Sequence, residues 1–189
     1  MYKRISESLD LKSSSWVLLG ILVVALVLRL NGLGDHSVWI DEAGTSSLVE
    51  TFLNYGVPQY PSGEVSYRSM PYILVTSLSV YIFGMSDFAL RLPSVIFGLS
   101  SIILVFKWSE ELFDLKSAIL ASGLLSISSW HIAMSQNARM YAMFSFLYLS
   151  TFYLLFRYEK SSRPRYLLLT GILTILSLLT HVTGYILLF

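Results

Sequence analysis

Long apolar runs separated by short polar stretches dominate this chain. A helix that crosses a bilayer needs about 20 apolar residues, and two of the runs, Met70–Gly84 and Leu92–Phe106, are clearly shorter than that. The second extends through Phe113 if its charged residues reach the lipid headgroups. The pattern predicts an all-helical chain that crosses a membrane several times, and the runs are Ser13–Leu30, Met70–Gly84, Leu92–Phe106, Ser117–Gln136, Met140–Phe156 and Tyr166–Phe189.

The basic residues decide whether Met70–Gly84 spans the membrane or lies along its surface. With a cytoplasmic N-terminus and a surface-lying Met70–Gly84, nine of the 13 Lys and Arg residues lie inside and four lie outside. If Met70–Gly84 spans, five lie inside and eight outside. The positive-inside rule favours the first arrangement. It predicts five spanning helices, Ser13–Leu30, Leu92–Phe113, Ser117–Ile132, Met140–Phe156 and Tyr166–Thr180, with Val182–Phe189 beginning a further element.

This topology leaves a long external loop over residues 31–91 that is acidic overall. A loop of this length without structure would be unusual, and two amphipathic helices are predicted within it, at Glu42–Tyr55 and Pro71–Phe83. The stretch between them, Gly56–Tyr67, is rich in Gly, Pro, Ser and Tyr, which is typical of irregular structure. The chain, residues 1–189, is therefore predicted to be a single transmembrane domain of five to six spanning helices, with surface helices in its first external loop.

Composition narrows the function classes. Hydrophobic residues make up 54 % of the chain and charged residues 13 %, against about 25 % charged residues in a typical soluble domain. The absence of cysteine excludes a disulfide scaffold, a thiolate zinc site and a cysteine nucleophile. A net charge of +1 gives no reason to expect nucleic acid as a partner. The expected surroundings are the lipid bilayer, with the chain as a multi-pass protein of the cell membrane.

Paired acids, Asp41 and Glu42, follow the first predicted helix closely. One interpretation is structural, because acids stabilise a helix N-terminus and the loop is solvated. The other is chemical: an external carboxylate pair can supply a general base with an orienting group, or ligands for a metal ion.

Three arginines lie at predicted helix ends on the same outer face: Arg68, Arg91 and Arg139. Each could simply reach the headgroups, and Tyr141 could belong to an interfacial aromatic belt. Alternatively, these residues bind an anion held at the interface, because the planar guanidinium fork suits a phosphate.

Histidines and inner cations offer weaker signals. His36, His131 and His181 are all placed at the outer face, but their spacing matches no compact metal motif. The sequence requires no cofactor, and a divalent metal ion is left open, with Asp41, Glu42 and His36 as candidate ligands. The basic residues between Arg157 and Arg165 fit a topology signal and a contact with anionic lipid.

Four short blocks resemble motifs of the membrane glycosyltransferases that use polyprenyl-phosphate sugars, among them the protein O-mannosyltransferases and the lipid A aminoarabinose transferases. The blocks occur in the order found in the family and cover the chain from about Leu18 to Tyr185. They are Ser37-Val38-Trp39-Ile40-Asp41-Glu42-Ala43, Ser69-Met70-Pro71-Tyr72, Phe88-Ala89-Leu90-Arg91-Leu92-Pro93-Ser94 and Ser135-Gln136-Asn137-Ala138-Arg139-Met140-Tyr141-Ala142.

The resemblance implies a GT-C fold, a bundle of spanning helices whose first external loop forms surface helices. It implies transfer of a sugar from a polyprenyl- or dolichyl-phosphate donor to a hydroxyl of a protein or glycolipid on the extracytoplasmic face, with inversion. By similarity, Asp41 is the catalytic base and Glu42 orients it or the sugar. Arg91 and Arg139, together with Arg68 and Tyr141, are implied to bind the carrier phosphate.

Two departures from the family pattern stand out. Arg68 occupies the place where the family usually has His or Lys, and one proline of the following block is missing. Family members are also usually more than twice this length, so we expect the chain to be the N-terminal part of a longer GT-C module. The alternative function is a non-catalytic membrane subunit or a polyprenyl-phosphate-binding module with the same fold, which would not need Asp41.

Overall fold

The computed structural model describes residues 2–35 and 39–188, with side chains from Ser14 onward. Within these residues the chain is helical, apart from loops and one isolated β-bridge between Gln59 and Val65. The predicted all-helical fold class is thereby confirmed. The helices are α1 (Tyr2–Leu30), α2 (Ile40–Tyr55), α3 (Met70–Phe83), α4 (Asp87–Leu112), α5 (Leu115–Ile127), α6 (Ser129–Ser135), α7 (Tyr141–Ser161), α8 (Pro164–Thr180) and a 3-10 helix (Val182–Leu188).

Both helices predicted in the first loop are present, as α2 and α3. Helix α2 ends at Tyr55 and is capped by Gly56. The φ of Gly56, 73°, is the left-handed conformation that glycine adopts without steric cost, and its N–H donates to the carbonyl of Phe52. The segment from Gly56 to α3 is irregular, as predicted.

The prediction of one continuous helix over Ser117–Ile132 is wrong. The chain bends by 62° between α5 and α6, because Ser128 adopts an extended conformation and its Oγ accepts the N–H of His131 at the start of α6. Serine hydroxyls favour such caps over helix interiors.

Buried Arg29, at the end of α1, holds this bend. Its guanidinium donates to the carbonyl oxygen of Ser126 at 3.0 Å and lies 2.7 Å from Nδ1 of His131. Gly98 of α4 lets α6 approach closely, because a Cβ there would collide with Ser135. The start of the 135–142 segment is therefore fixed against α1 and α4.

Helix α4 is the central element and packs against α1, α3, α5, α6 and α7. Pro93 lies inside it and has no N–H to donate to the carbonyl of Ala89. The Oγ of Ser79, from α3, donates to that carbonyl at 2.7 Å instead. This bond joins α3 to the first turns of α4 beside the candidate site.

Apolar packing beneath the site joins the loop helices to α4. Leu48 and Val49 of α2, Ile73 and Val80 of α3 and Leu90 of α4 form one buried cluster, which also contains Ala89 and Ala138. The loop of residues 31–91 is therefore packed as a layer on the helix bundle.

Length and composition identify one described helix, Asp87–Leu112, as long and apolar enough to cross a membrane. The bent pair α5 and α6 also qualifies if it forms one span, and Ser14–Leu30, Met70–Phe83 and Pro164–Thr180 are shorter apolar helices. These lengths and compositions support fewer membrane-spanning helices than the five that the sequence predicts. Helix α7 falls outside these groups, although it extends five residues beyond its predicted end at Phe156.

Candidate active site

Glu42 is buried at the first turn of α2, and its carboxylate receives four N–H donors. Oε1 accepts from Nε of Arg91 at 2.9 Å and from the backbone N–H of Ala138 at 2.7 Å. Oε2 accepts from Nη2 of Arg91 at 2.9 Å and from the backbone N–H of Trp39 at 3.1 Å. A carboxylate has about four acceptor positions, so Glu42 is saturated. It joins α2, α4 and the segment between α6 and α7.

These contacts keep Glu42 ionised. Burial alone would raise the pKa of its carboxyl, but the hydrogen bonds from Arg91, Ala138 and Trp39, together with the charge of Arg91, outweigh burial and lower the pKa below its usual value.

Asp41 precedes Glu42 and lies in a different environment. Consecutive helical residues point about 100° apart, and the side chain of Asp41 is 62 % exposed. Its Oδ2 lies 3.8 Å from Nη2 of Arg139, while Nη1 of Arg139 donates to the Asp41 carbonyl at 3.2 Å. An exposed carboxylate beside a cation can accept a proton from a bound molecule.

A cavity of about 520 Å³ adjoins this pair. Arg68 and Arg139 contribute two guanidinium groups to its wall, and among the described residues that line it there is no carboxylate. The rest of the wall combines apolar and aromatic side chains with three aliphatic hydroxyl residues and one histidine, and it is formed by Thr45, Leu48, Tyr60, Ser69, Tyr72, Ile73, Met140, Leu178, Leu179, Thr180, His181, Val182 and Tyr185. The cavity therefore suits a ligand with an anionic group and an apolar part.

The Tyr141 ring contacts the guanidinium group of Arg139. The Arg139 guanidinium carbon lies 5.8 Å from the centre of the Tyr141 ring, and that ring lies 5.7 Å from the His181 ring. A cation over an aromatic face is attracted to it, so Tyr141 restrains the arginine that faces Asp41.

Arg91 occupies a different place from Arg68 and Arg139. Its side chain is buried against Glu42, and its Nη1 also donates to the carbonyl of Leu33 at 2.7 Å. It is not among the residues that line the cavity. The structure thus brings two of the four predicted phosphate ligands, Arg68 and Arg139, to one cavity, whereas Arg91 and Tyr141 are not among the residues that line it.

The metal hypothesis receives no geometric support in the part of the chain that the structure describes, where no three His, Asp or Glu side chains cluster as metal ligands would. His36 lies outside the described residues. The Glu42 oxygens already accept four N–H donors. His131 lies against Arg29, and the His181 ring contacts the Tyr141 ring at an interplanar angle of 56°.

Several residues of this site carried no signal in the sequence. The Ala138 contact uses a backbone N–H, which no side-chain pattern reveals. Ser69 donates to the carbonyl of Thr180 at 2.8 Å, which brings the C-terminal end of α8 to the cavity across 111 positions of sequence. The sequence marks His181 only as an outer-face histidine with a possible metal role, and Tyr185 could have been noted as an aromatic residue within the last apolar run; both line the cavity.

The fold is that of a GT-C glycosyltransferase. The chain superposes on the oligosaccharyltransferase of Archaeoglobus fulgidus, in the structure solved with zinc and sulfate, with a TM-score of 0.72 and 18 % identity over 90 % of this chain and 25 % of that one. The structure of the same enzyme tethered to an acceptor peptide with the NVT sequon gives a TM-score of 0.71 and 17 % identity, over 92 % of this chain and 25 % of that one.

Sequence comparison gives the family: this chain belongs to the dolichyl-phosphate-mannose-protein mannosyltransferase family, whose model matches residues 70–189. Two proteins of Bacillus subtilis (strain 168) are similar, "Putative mannosyltransferase YycA" and "Putative mannosyltransferase YkcB". Both are 22 % identical to this chain. The match to YycA covers 77 % of this chain and 23 % of that protein, and the match to YkcB covers 79 % of this chain and 22 % of that protein. The chain therefore spans less than a quarter of the length of these curated relatives.

Proposed function

We propose that this chain forms the donor and base site of an enzyme that transfers a sugar from a polyprenyl- or dolichyl-phosphate carrier to an acceptor hydroxyl. The observation that carries the proposal is the exposed carboxylate of Asp41, beside Arg139, at a cavity with two guanidinium groups and no described carboxylate in its wall. Family membership supports glycosyl transfer in general. The acceptor is a hydroxyl of a protein or a glycolipid.

Asp41 acts as the general base in this reaction. Its carboxylate takes the proton of the acceptor hydroxyl as the hydroxyl oxygen forms a bond to the anomeric carbon. The bond from that carbon to the phosphate oxygen breaks, and its electron pair stays on the carrier phosphate. One displacement with one base and no protein nucleophile inverts the anomeric centre.

Arg139 and Arg68 bind the carrier phosphate. The charge of the phosphate grows as the sugar leaves, and fixed guanidinium donors stabilise that charge in the transition state. Arg139 is held from two sides, by the Asp41 carbonyl and by the Tyr141 ring. Arg68 is exposed at the wall of the cavity.

Arg91 has a positioning role in this proposal. Its two hydrogen bonds to Glu42 hold the first turn of α2 against α4, and the Ala138 N–H brings the segment with Arg139 to the same carboxylate. Glu42 therefore sets the distance between Asp41 and Arg139.

The proposed location is a membrane, with the site on its extracytoplasmic face. Large apolar side chains are exposed along α1, α5 and α8, for example Val27 at 62 %, Leu120 at 64 % and Leu168 at 68 %. Such surfaces are typical of contact with lipid or with further helices. The charge distribution along the chain orients the loop of residues 31–91 outward.

Asp41→Asn tests the base. This variant keeps the shape of the side chain but cannot take a proton, so we expect transfer to fall by about 10²–10⁴-fold while donor binding is retained. Arg139→Gln should instead weaken donor binding. The whole natural protein is used, because the chain covers less than a quarter of its curated relatives. Transfer from a radiolabelled polyprenyl-phosphate sugar and binding of the same donor are measured separately.

Asp35→Asn is the matched control, because Asp35 is another exposed aspartate of the same loop. It should leave both readouts unchanged. Near-normal transfer by Asp41→Asn would remove the catalytic assignment and favour a carrier-lipid-binding module. Unchanged donor affinity in Arg139→Gln would remove the phosphate assignment.

A further inference from the structure

A cluster of cations lies at the turn between α7 and α8. Residues 157–165 contain four basic side chains, Arg157, Lys160, Arg163 and Arg165, and a single acidic one, Glu159. Arg157 pairs with Glu111 of α4 at 2.7 Å. Among the residues whose side chains the structure describes, no carboxylate lies within 4.0 Å of the other three cations. The turn therefore has a strong positive charge.

Two of these arginines converge on one oxygen atom. Nη2 of Arg157 and Nη2 of Arg165 each donate to the Tyr166 hydroxyl at 3.2 Å. Their guanidinium carbons lie 5.5 Å and 4.9 Å from the centre of the Tyr166 ring. The tyrosine hydroxyl thus holds the two guanidinium groups beside each other. Nη1 of Arg157 is used by Glu111 and Tyr153, so the donors that Arg157 offers to an anion beside Arg165 are its Nε and Nη2.

The turn lies at the end of the bundle opposite the candidate active site. On helix α4, Arg91 lies near the start and binds Glu42, and Glu111 lies near the end and binds Arg157. The 20 positions between them correspond to about 30 Å of helix, which matches the thickness of a bilayer hydrocarbon core. If the active site lies at one headgroup layer, this turn lies at the other.

We propose that the α7–α8 turn is a binding site for the headgroup phosphate of an anionic phospholipid. Arg157 and Arg165 provide the paired donors beside Tyr166, and the exposed side chains of Lys160 and Arg163 surround the headgroup. Charge complementarity identifies the partner, since an anionic lipid surface attracts basic residues, by about fivefold in affinity for each residue near it. The proposal depends on the membrane placement proposed above, but not on sugar transfer.

The test measures lipid selectivity. The whole protein is reconstituted in vesicles of equal phosphatidylglycerol and phosphatidylcholine, extracted, and examined by native mass spectrometry for retained lipid. We expect phosphatidylglycerol to be retained about fivefold or more over phosphatidylcholine, and the preference to be lost in Arg163→Gln/Arg165→Gln. Lys107→Gln/Lys116→Gln is the matched control, because it removes two cations at the same end of the bundle but not on the turn, and it should retain the preference.

Tyr166→Phe keeps every charge and both ring contacts but removes the shared oxygen, and it should reduce the preference by about two- to threefold. Equal losses in both glutamine pairs, or an unchanged preference in Tyr166→Phe, would overturn the site. Displacement by inorganic phosphate would assign it to free anion instead of lipid. Sugar transfer by Arg163→Gln/Arg165→Gln should stay normal, so failure here is distinct from failure of the Asp41 test.

Discussion

Asp41 and Glu42 are adjacent acids with opposite surroundings. One carboxylate is 62 % exposed beside a cation, and the other is buried among four N–H donors. A saturated carboxylate cannot take up a proton without losing hydrogen bonds. The contacts of the two side chains therefore favour Asp41 as the base and Glu42 as the positioning group.

Glu42→Gln should destabilise the protein by roughly 3–5 kcal/mol, because it leaves Arg91 buried without its counter-charge and turns an amide N–H₂ toward N–H donors. Unfolding temperature in detergent is the measurement, and Glu50→Gln, an exposed acid of the same helix, is the control.

The difference in stability between wild type and Glu42→Gln should depend on pH, because the pKa of Glu42 is lowered in the folded protein. A carboxyl with a lowered folded-state pKa stabilises the fold above its unfolded pKa of about 4.3, and this stabilisation is lost as the pH falls through the folded value. The gap between wild type and Glu42→Gln should be constant from pH 7 to 5 and shrink below about pH 4. A gap that stays constant throughout the acid range would contradict the assignment.

At the scale of elements, the contact between α3 and α4 depends on a proline inside a helix. Ser79→Ala should cost about 1–3 kcal/mol, because it leaves the buried Ala89 carbonyl without a donor. In a Pro93→Ala background, the backbone N–H of residue 93 can donate to the Ala89 carbonyl. Ser79→Ala should therefore lower the free energy of unfolding by clearly less in that background. Thermal unfolding of the wild type, Ser79→Ala, Pro93→Ala and the double variant measures the coupling energy between the two residues. Equal costs in both backgrounds would show that the two residues are independent.

At the scale of the whole molecule, the topology can be tested directly because the chain has no cysteine. Ser62 and Ser162 are both exposed and lie in the first loop and in the α7–α8 turn. A membrane-impermeant maleimide on intact cells should label Ser62→Cys and should label Ser162→Cys only after permeabilisation. Labelling of Ser162→Cys from outside would reverse the proposed orientation, together with the surface position of α3.

Local pattern was sufficient to locate α2 and α3, because their helix signals lie within each segment. Local pattern was not sufficient to predict the break at Ser128, because serine is also compatible with a helix interior. The bend is stabilised by the cap at His131 and by the hydrogen bond from Arg29 to the Ser126 carbonyl. Nor could local pattern predict the burial of Glu42, whose partners Arg91 and Ala138 lie 49 and 96 positions away. The cavity likewise depends on α8 reaching the first loop.

The bond from the Ala138 N–H to Glu42 has a consequence for mutational scanning. Ala138 is 1 % exposed, so larger residues there will fail for lack of space, and the position will be classified as ordinary packing. Its chemical contribution belongs to the peptide unit, which every amino acid except proline supplies equally. Only a change of the backbone itself, such as an amide-to-ester replacement at this residue, isolates the hydrogen bond that links the Arg139 segment to the acid pair.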